Sequence, residues 1–142
     1  MTITSELLIH ASVQRVWELT VGVEAWPQLS PTTMTSIERL DEGPLRVGST
    51  ARVVQPRQRP TVWTVVAFEA ERLFSWQAKV LTVTMTATHR LIAQADGCRN
   101  VLTVELTGAG HRLLERLAGN KIREAIATEN ECFKSAAERT EA

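Results

Sequence analysis

The stretch that decides the fold is HRLLERLAGNKIREAIATENECFKSAAE, residues 111–138. No proline interrupts it, and its apolar side chains recur at intervals of three, four or seven residues. That spacing places them on one face of a helix about 40 Å long. We therefore predict a single C-terminal helix whose apolar stripe packs against the rest of the domain. The stripe consists of Leu114, Ala118, Ile122, Ile126, Phe133 and Ala137.

Glu129 interrupts this stripe. It follows Ile126 by three positions and precedes Phe133 by four, so the helical period turns its carboxylate toward the buried side. An unpaired buried carboxylate is costly. Two interpretations follow. Either the stripe is incompletely covered and Glu129 reaches water or a basic partner, or the helix lies over a cavity in which Glu129 is one of a few polar groups.

The sequence before this helix predicts an antiparallel sheet. Residues 3–9 alternate in polarity as a first strand, and two short helices follow, at 13–20 and around 24–28. Six further strands are separated only by short turns, which is typical of a meander of neighbouring strands. The predicted strands are 34–41, 50–55, 61–69, 72–79, 82–94 and 101–107.

A seven-stranded sheet with one apolar face needs a cover, and the C-terminal helix is the one predicted element long enough. The predicted class is α+β, a single domain over residues 1–142 in which a curved antiparallel sheet wraps around the long helix. One helix about 10 Å wide does not fill such a concavity. We therefore expect a cavity of ligand size, about 300 Å³ or more. The sequence leaves open whether Trp63 and Val65 or Val62 and Val66 face inward.

Charge and composition argue against several classes of function. Sixteen basic residues balance sixteen acidic ones, which leaves no electrostatic footprint for nucleic acid and no basic helix face suited to an anionic membrane. No apolar run approaches the roughly 18 residues of a membrane span, and residues 2–8 do not resemble a secretory signal. We therefore expect a cytoplasmic protein. Cys98 and Cys132 form neither a CxxC pair nor a disulfide framework.

His89 is the one histidine predicted to point inward, and imidazole titrates near neutral pH. With Glu129 it forms the candidate acid/base pair, although a structural histidine bonded to a backbone or hydroxyl group is the alternative. No spacing predicts a metal site, a nucleotide-binding turn or an activated nucleophile, so we expect no metal or cofactor. Plain core packing is the alternative interpretation for the apolar members of the predicted cavity lining. The lining comprises Trp63, Trp76, Met85, His89, Ile122, Ile126, Glu129 and Phe133.

Several short motifs resemble, in order and over essentially the whole chain, the SRPBCC superfamily of START domains, birch-pollen-allergen-like proteins and polyketide cyclases/dehydrases. The resemblance implies a helix-grip fold with an internal hydrophobic cavity. Cyclases of this family are expected to use polar cavity groups, often tyrosine, but this chain contains no tyrosine. Without tyrosine, His89 and Glu129 are the candidates for the acid and the base of such a reaction. The motifs are Ala11 with Val16-Trp17, Trp26-Pro27 with Pro31, Gly43-Pro44-Leu45 with Gly48, Gln55-Pro56-Arg57, Trp63-Thr64-Val65, Phe74-Ser75-Trp76 and His89-Arg90-Leu91.

Three functions remain open at this point. The first is binding of a hydrophobic or aromatic small molecule, lipid-like or polyketide-like, between sheet and helix. The second is an enzyme of the cyclase/dehydrase type. The third is an interaction protein with a vestigial cavity. Its first helical turns are apolar on two sides, with Leu113 and Leu117 as well as Leu114 and Ala118, and would form a homodimer contact.

Overall fold

The structure is a computed structural model that describes residues 2–139. It confirms the predicted α+β helix-grip architecture. One sheet of seven antiparallel strands in the order β1-β7-β6-β5-β4-β3-β2 curves around the long C-terminal helix. The strands are β1 (Thr2–Ile9), β2 (Ser36–Arg39), β3 (Thr50–Val54), β4 (Thr61–Glu69), β5 (Leu73–Val80), β6 (Val83–Gln94) and β7 (Gly97–Gly108). The helices are α1 (Val13–Val21), a 3₁₀ turn (Val23–Ala25), α2 (Trp26–Leu29) and α3 (His111–Glu138).

Local sequence signals account for most of these boundaries. Helix α1 begins after Ser12, whose hydroxyl accepts a hydrogen bond from the Arg15 backbone N–H at 3.1 Å. Pro27 lies in the first turn of α2, where its missing N–H costs nothing. Strand β7 begins at Gly97, four residues before the predicted start, because β6 and β7 are joined by a turn of only two residues.

A bulge in β4 explains why the register around Trp63 was ambiguous in the sequence. Val65 pairs with Trp76 and Ala67 pairs with Ser75, so Val66 is an extra residue without its own partner. Before the bulge Trp63 and Val65 face the core. After it the alternation reverses, and Phe68 pairs with the fully buried Phe74. Neither of the two competing patterns therefore holds along the whole strand.

A buried amide pair fixes the C-terminal half of α3 to the sheet. Asn130 is fully buried; its Nδ2 donates to the Ser5 carbonyl at 3.1 Å, and its Oδ1 accepts from Asn100 Nδ2 at 2.9 Å. Lys134 Nζ also donates to the carbonyl of Leu8 at 3.0 Å. These contacts tie one face of the helix to β1 and β7, the two strands at the far side of the sheet from β2. They hold in place the side chains that this half of α3 turns toward the interior, among them Glu129 and Phe133.

Two kinds of feature are absent from the described part of the chain. Over residues 2–139, no helix is both long and apolar enough to cross a bilayer. In the same range, no three His, Cys, Asp or Glu side chains lie where they could hold a metal ion together.

Candidate functional site

The interior between the sheet and α3 is filled by a cluster of aromatic rings. Trp26 of α2 is at its centre, with ring centroids 5.4 Å from Trp76, 5.0 Å from His89 and 5.8 Å from Phe133. The short helix therefore places an indole ring in the concavity of the sheet, where it packs against sheet and helix at once. The cluster comprises Trp26, Trp63, Phe74, Trp76, His89 and Phe133.

His89 points inward from β6, as its alternation in the strand predicts, and is 5% exposed. Its ring stacks on Phe74 at 5.5 Å with an interplanar angle of 18°. Burial among aromatic rings lowers the pKa of His89 to about 4, because the imidazolium loses its hydration there. Its Nδ1 is buried, and no partner for it lies among residues 2–139. The histidine is therefore neutral at physiological pH and carries one unused polar atom.

Glu129 is buried on the inner face of α3, with 8% of its surface exposed, which argues against the interpretation that the stripe is incompletely covered there. Desolvation raises its pKa to about 7, although a hydrogen bond from the Thr33 side chain partly opposes this shift. The Thr33 hydroxyl also lies 2.5 Å from that of Ser30. The Thr33 hydroxyl also lies 3.3 Å from the Ser30 carbonyl oxygen, so its one proton goes either to that oxygen or to the carboxylate. When Thr33 donates to the carboxylate, the Ser30 hydroxyl donates to Thr33. Within residues 2–139 no basic side chain pairs with Glu129.

Glu129 lines a narrow cleft between α3 and the segment that carries α2. The volume of this cleft is about 10 Å³, room for about one water molecule at most. This cleft is far smaller than the predicted cavity of about 300 Å³ or more, because Trp26 and its aromatic neighbours occupy the space beside it. The cleft is lined by Trp26, Leu29, Ser30, Met34, Glu129 and Phe133.

The predicted cavity residues divide into three groups. Glu129 and Phe133 line the cleft. Trp63, Trp76 and His89 belong to the aromatic cluster, behind Trp26. Ile122 and Ile126 pack elsewhere, beneath the first half of α3, in a hydrophobic cluster with three residues of β7, and Met85 bridges the two regions.

Sequence reasoning missed the contribution of the segment after α1. Trp26 stood out in the sequence only as part of the Trp26-Pro27 motif, and nothing in the pattern placed its ring beside Glu129. Leu29, Ser30, Thr33 and Met34 lie in and after a helix of only four residues, where no periodicity is measurable. The closely spaced Ser30 and Thr33 are a signal of a local hydroxyl turn. Thr33 proves to be a hydrogen-bond partner of Glu129, and Ser30 in turn contacts Thr33.

A curved antiparallel sheet closed by a long terminal helix, with polar groups buried where the two meet, defines the helix-grip class of proteins. Sequence comparison then places the chain within that class. Residues 1–138 match the family described as polyketide cyclase / dehydrase and lipid transport, and the chain belongs to this family. No curated protein matches the chain at a significant level.

Solved structures share this fold at low sequence identity. Norcoclaurine synthase from Thalictrum flavum, in complex with dopamine and hydroxybenzaldehyde, is 18% identical with a TM-score of 0.71, over 100% of this chain and 89% of that one. The ginseng major latex-like protein 151 from Panax ginseng is 8% identical with a TM-score of 0.79, over 96% and 97%. The protein TTHA0849 from Thermus thermophilus is 16% identical with a TM-score of 0.76, over 99% and 100%. At such identities the similarity establishes the fold alone.

Proposed function

We propose that the chain binds a hydrophobic or aromatic small molecule at the Glu129 cleft, between the sheet and α3. The observation that carries this proposal is Glu129 itself, a buried carboxyl group with a raised pKa in an otherwise largely apolar wall. A scaffold gains nothing from such a group, because an apolar residue there would avoid the cost of desolvation. Ligand sites, by contrast, combine apolar walls with a few polar groups that orient the ligand.

Binding at this cleft requires that Trp26 moves. A ligand site of about 300 Å³ is far larger than the present cleft of about 10 Å³. Trp26 belongs to a helix of a single turn, and its Nε1 donates to the Leu19 carbonyl at 3.2 Å in the neighbouring helix α1. Rotation of this indole out of the cluster would open the space between Phe133 and His89. The ligand then selects the open state, and its affinity is reduced by the free energy of opening.

Tryptophan fluorescence and thermal unfolding test this proposal together. The first probes are hydroxybenzaldehyde and dopamine, the molecules in the norcoclaurine synthase complex, and a medium-chain fatty acid. Binding is expected to raise Tm and to change the emission of Trp26, and Trp26→Phe is expected to remove most of the emission change. If none of the three probes raises Tm at millimolar concentration, the proposal is rejected.

A matched pair of variants separates site from scaffold. Glu129→Gln keeps the shape of the buried side chain, whereas Glu131→Gln changes an exposed residue two positions further along the same helix. We expect Glu129→Gln to alter the affinity for the polar probes by about tenfold, the value of one hydrogen bond to a charged group, and Glu131→Gln to leave it unchanged. Equal effects of both variants would place the ligand elsewhere.

Acid/base catalysis on a bound polyketone is the second candidate function, favoured by the pKa of about 7 for Glu129. A carboxyl group that is half protonated near neutral pH accepts and returns a proton efficiently. His89, which is neutral, would orient a carbonyl or hydroxyl group through its free Nδ1. This candidate requires turnover of a polyketone substrate with a pH profile that Glu129→Gln removes. Binding of the polyketone without turnover would mean that the protein is a carrier and not an enzyme.

The third candidate is a scaffold with a vestigial cavity, and the packed aromatic interior favours it. It requires that no hydrophobic ligand accompanies the purified protein. Extraction with organic solvent followed by mass spectrometry tests this requirement, and a stoichiometric lipid or aromatic compound in the extract would exclude a scaffold role.

A further inference from the structure

Three leucines are exposed at the end of the molecule where α3 begins. Leu81 is 94% exposed in the turn between β5 and β6, and Leu117 and Leu113 are 73% and 60% exposed on the outer face of α3. The two elements meet, since Thr82 Oγ1 donates to the Ala109 carbonyl at 2.6 Å and Val83 pairs with Gly108. The leucines of the turn and of the first helical turns therefore lie at the same end of the molecule.

Leu81 has no structural reason to be a leucine. Its φ is 58°, a left-handed conformation that glycine or asparagine adopts at lower cost. At this position the side chain gains no burial that would offset the strain. A large apolar residue in a strained and fully exposed turn indicates a contact outside this chain.

Several basic residues belong to the segments at the same end of the molecule as these leucines. Arg59, Lys79 and Val80 line a common open groove, which brings the loop before β4 to the same end as the β5–β6 turn. Segments 56–60, 79–83 and 105–124 carry a net charge of +4, whereas the whole chain is neutral, so the remainder carries −4. The basic residues are Arg57, Arg59, Lys79, Arg112, Arg116, Lys121 and Arg123, and the acidic residues are Glu105, Glu115 and Glu124.

We propose that this basic end, formed by Leu81, Leu113, Leu117 and the cations around them, docks on the surface of a lipid bilayer that contains anionic lipids. Leucines that enter the interface and arginines or lysines that remain at the headgroups are the two components of such binding. The neutral overall composition predicted no basic face for an anionic membrane. The fold changes this result, because it brings together three basic segments that are distant in the sequence and leaves most acidic residues elsewhere.

Vesicle flotation with the full chain tests the proposal. We expect the protein to float with vesicles of phosphatidylcholine and phosphatidylglycerol and to stay unbound with phosphatidylcholine alone. Raising the ionic strength from about 0.1 M to about 1 M shortens the Debye length from about 10 Å to about 3 Å, so binding should fall steeply. Absence of binding to the anionic vesicles at low salt would overturn the proposal.

Matched substitutions identify the surface. Leu81→Asn suits the left-handed turn, and Leu117→Gln changes an exposed helical position, so both variants should keep the Tm of the parent chain. Each is expected to weaken vesicle binding by about tenfold. Val47→Gln removes another exposed apolar residue, from the β2–β3 loop, and should have no effect. Equal loss in all three variants would overturn the assignment.

The oligomeric state distinguishes docking on a membrane from self-association of the chain. A second copy of the chain would also cover exposed leucines, but two basic ends would repel each other. We therefore expect sedimentation equilibrium to give a mass that does not depend on Leu113 or Leu117. A dimer that dissociates in Leu117→Gln, with no vesicle binding by the parent chain, would show that this surface is a self-association contact instead.

Discussion

Trp26 and Phe133 meet edge to face, with ring centroids 5.8 Å apart and ring planes at 90°. This contact closes the segment after α1 against the long C-terminal helix, directly beside Glu129. Edge-to-face packing is a favourable arrangement of two rings. The same contact therefore stabilises the fold and keeps the cleft beside Glu129 narrow.

Trp26→Ala is expected to lower the free energy of unfolding by about 3–5 kcal/mol, because it deletes a large buried ring. The vacated space matches indole in shape, so added indole should raise the Tm of this variant and leave that of the parent chain unchanged. Water that enters the opened cleft should also lower the pKa of Glu129 toward its ordinary range, which NMR titration of the carboxyl carbon measures.

Trp17→Ala is the control for this variant. Trp17 is buried and packs edge-on against Phe68 at 5.4 Å, in a different part of the core. Its replacement should cost similar stability but leave the pKa of Glu129 where it is. If both variants shift that pKa equally, the change reports general loosening of the fold and not access to the cleft.

Glu129 and His89 make opposite contributions to the pH dependence of stability. The pKa of Glu129 is about 7 in the folded state and 4.5 in the unfolded state. Its contribution to the free energy of unfolding therefore falls as the pH rises from 4.5 to 7. The pKa of His89 is about 4 in the folded state and 6.5 in the unfolded state. Its contribution to the free energy of unfolding therefore rises as the pH rises from 4 to 6.5. The two effects should nearly cancel between pH 4.5 and 6.5.

Single variants should separate the two slopes. Glu129→Gln removes the falling contribution, so the stability of this variant is expected to rise between pH 4 and 6.5. His89→Phe removes the rising one, so stability should fall between pH 4.5 and 7, by roughly 3 kcal/mol as an upper value. Urea denaturation at closely spaced pH values measures both. Parallel curves for the two variants would contradict the assignment of the opposing slopes.

Thr33→Val tests the polar contact of Glu129 at nearly constant side-chain volume. The Thr33 hydrogen bond lowers the pKa of the carboxyl group, so its loss should raise that pKa further above neutral. Thr35→Val, at an exposed position two residues away, should leave it unchanged. A pKa of Glu129 that is the same in both variants would mean that desolvation alone sets its value.

Asn130→Ala is expected to cost more than a typical surface change, because it leaves Asn100 Nδ2 buried without its acceptor. An unsatisfied buried donor costs about 1–3 kcal/mol. Asn120→Ala removes an exposed amide from the same helix, bonded only to Arg123 among the contacts described, and should cost less than about 0.5 kcal/mol. Hydrogen exchange should show faster opening of the C-terminal half of α3 in the first variant alone.

The sequence predicted the fold more fully than the site, and the reason is physical. Helix α3 could be bounded at both ends because an apolar period persists over its 28 residues, and the strands could be counted because turn residues separate them. The volume left between sheet and helix depends instead on which side chains fill it. Trp26 reaches that space from a helix of four residues, too short for any period to show its direction. His89 and Glu129 could be predicted to point inward. The sequence did not show that His89 would lie behind Trp26, or that Glu129 would line a cleft of only about 10 Å³.

Two glycines that look alike in the sequence should respond in opposite ways to alanine. Gly119 lies inside α3, where a Cβ would meet no atom within 4 Å, so Gly119→Ala is expected to stabilise the fold by about 0.5–1 kcal/mol through helix propensity.

Gly108 has a φ of +98°, and a Cβ there would lie 2.3 Å from the Thr82 carbonyl oxygen. Because that oxygen belongs to the backbone of the β5–β6 turn, Gly108→Ala must displace the turn or the strand, and we expect it to destabilise by about 1–3 kcal/mol. Thermal unfolding of the two variants measures the difference. A gain in stability from Gly108→Ala would contradict the close approach of this turn to the end of β7, on which the position of Leu81 and Leu113 at the same end of the molecule also depends.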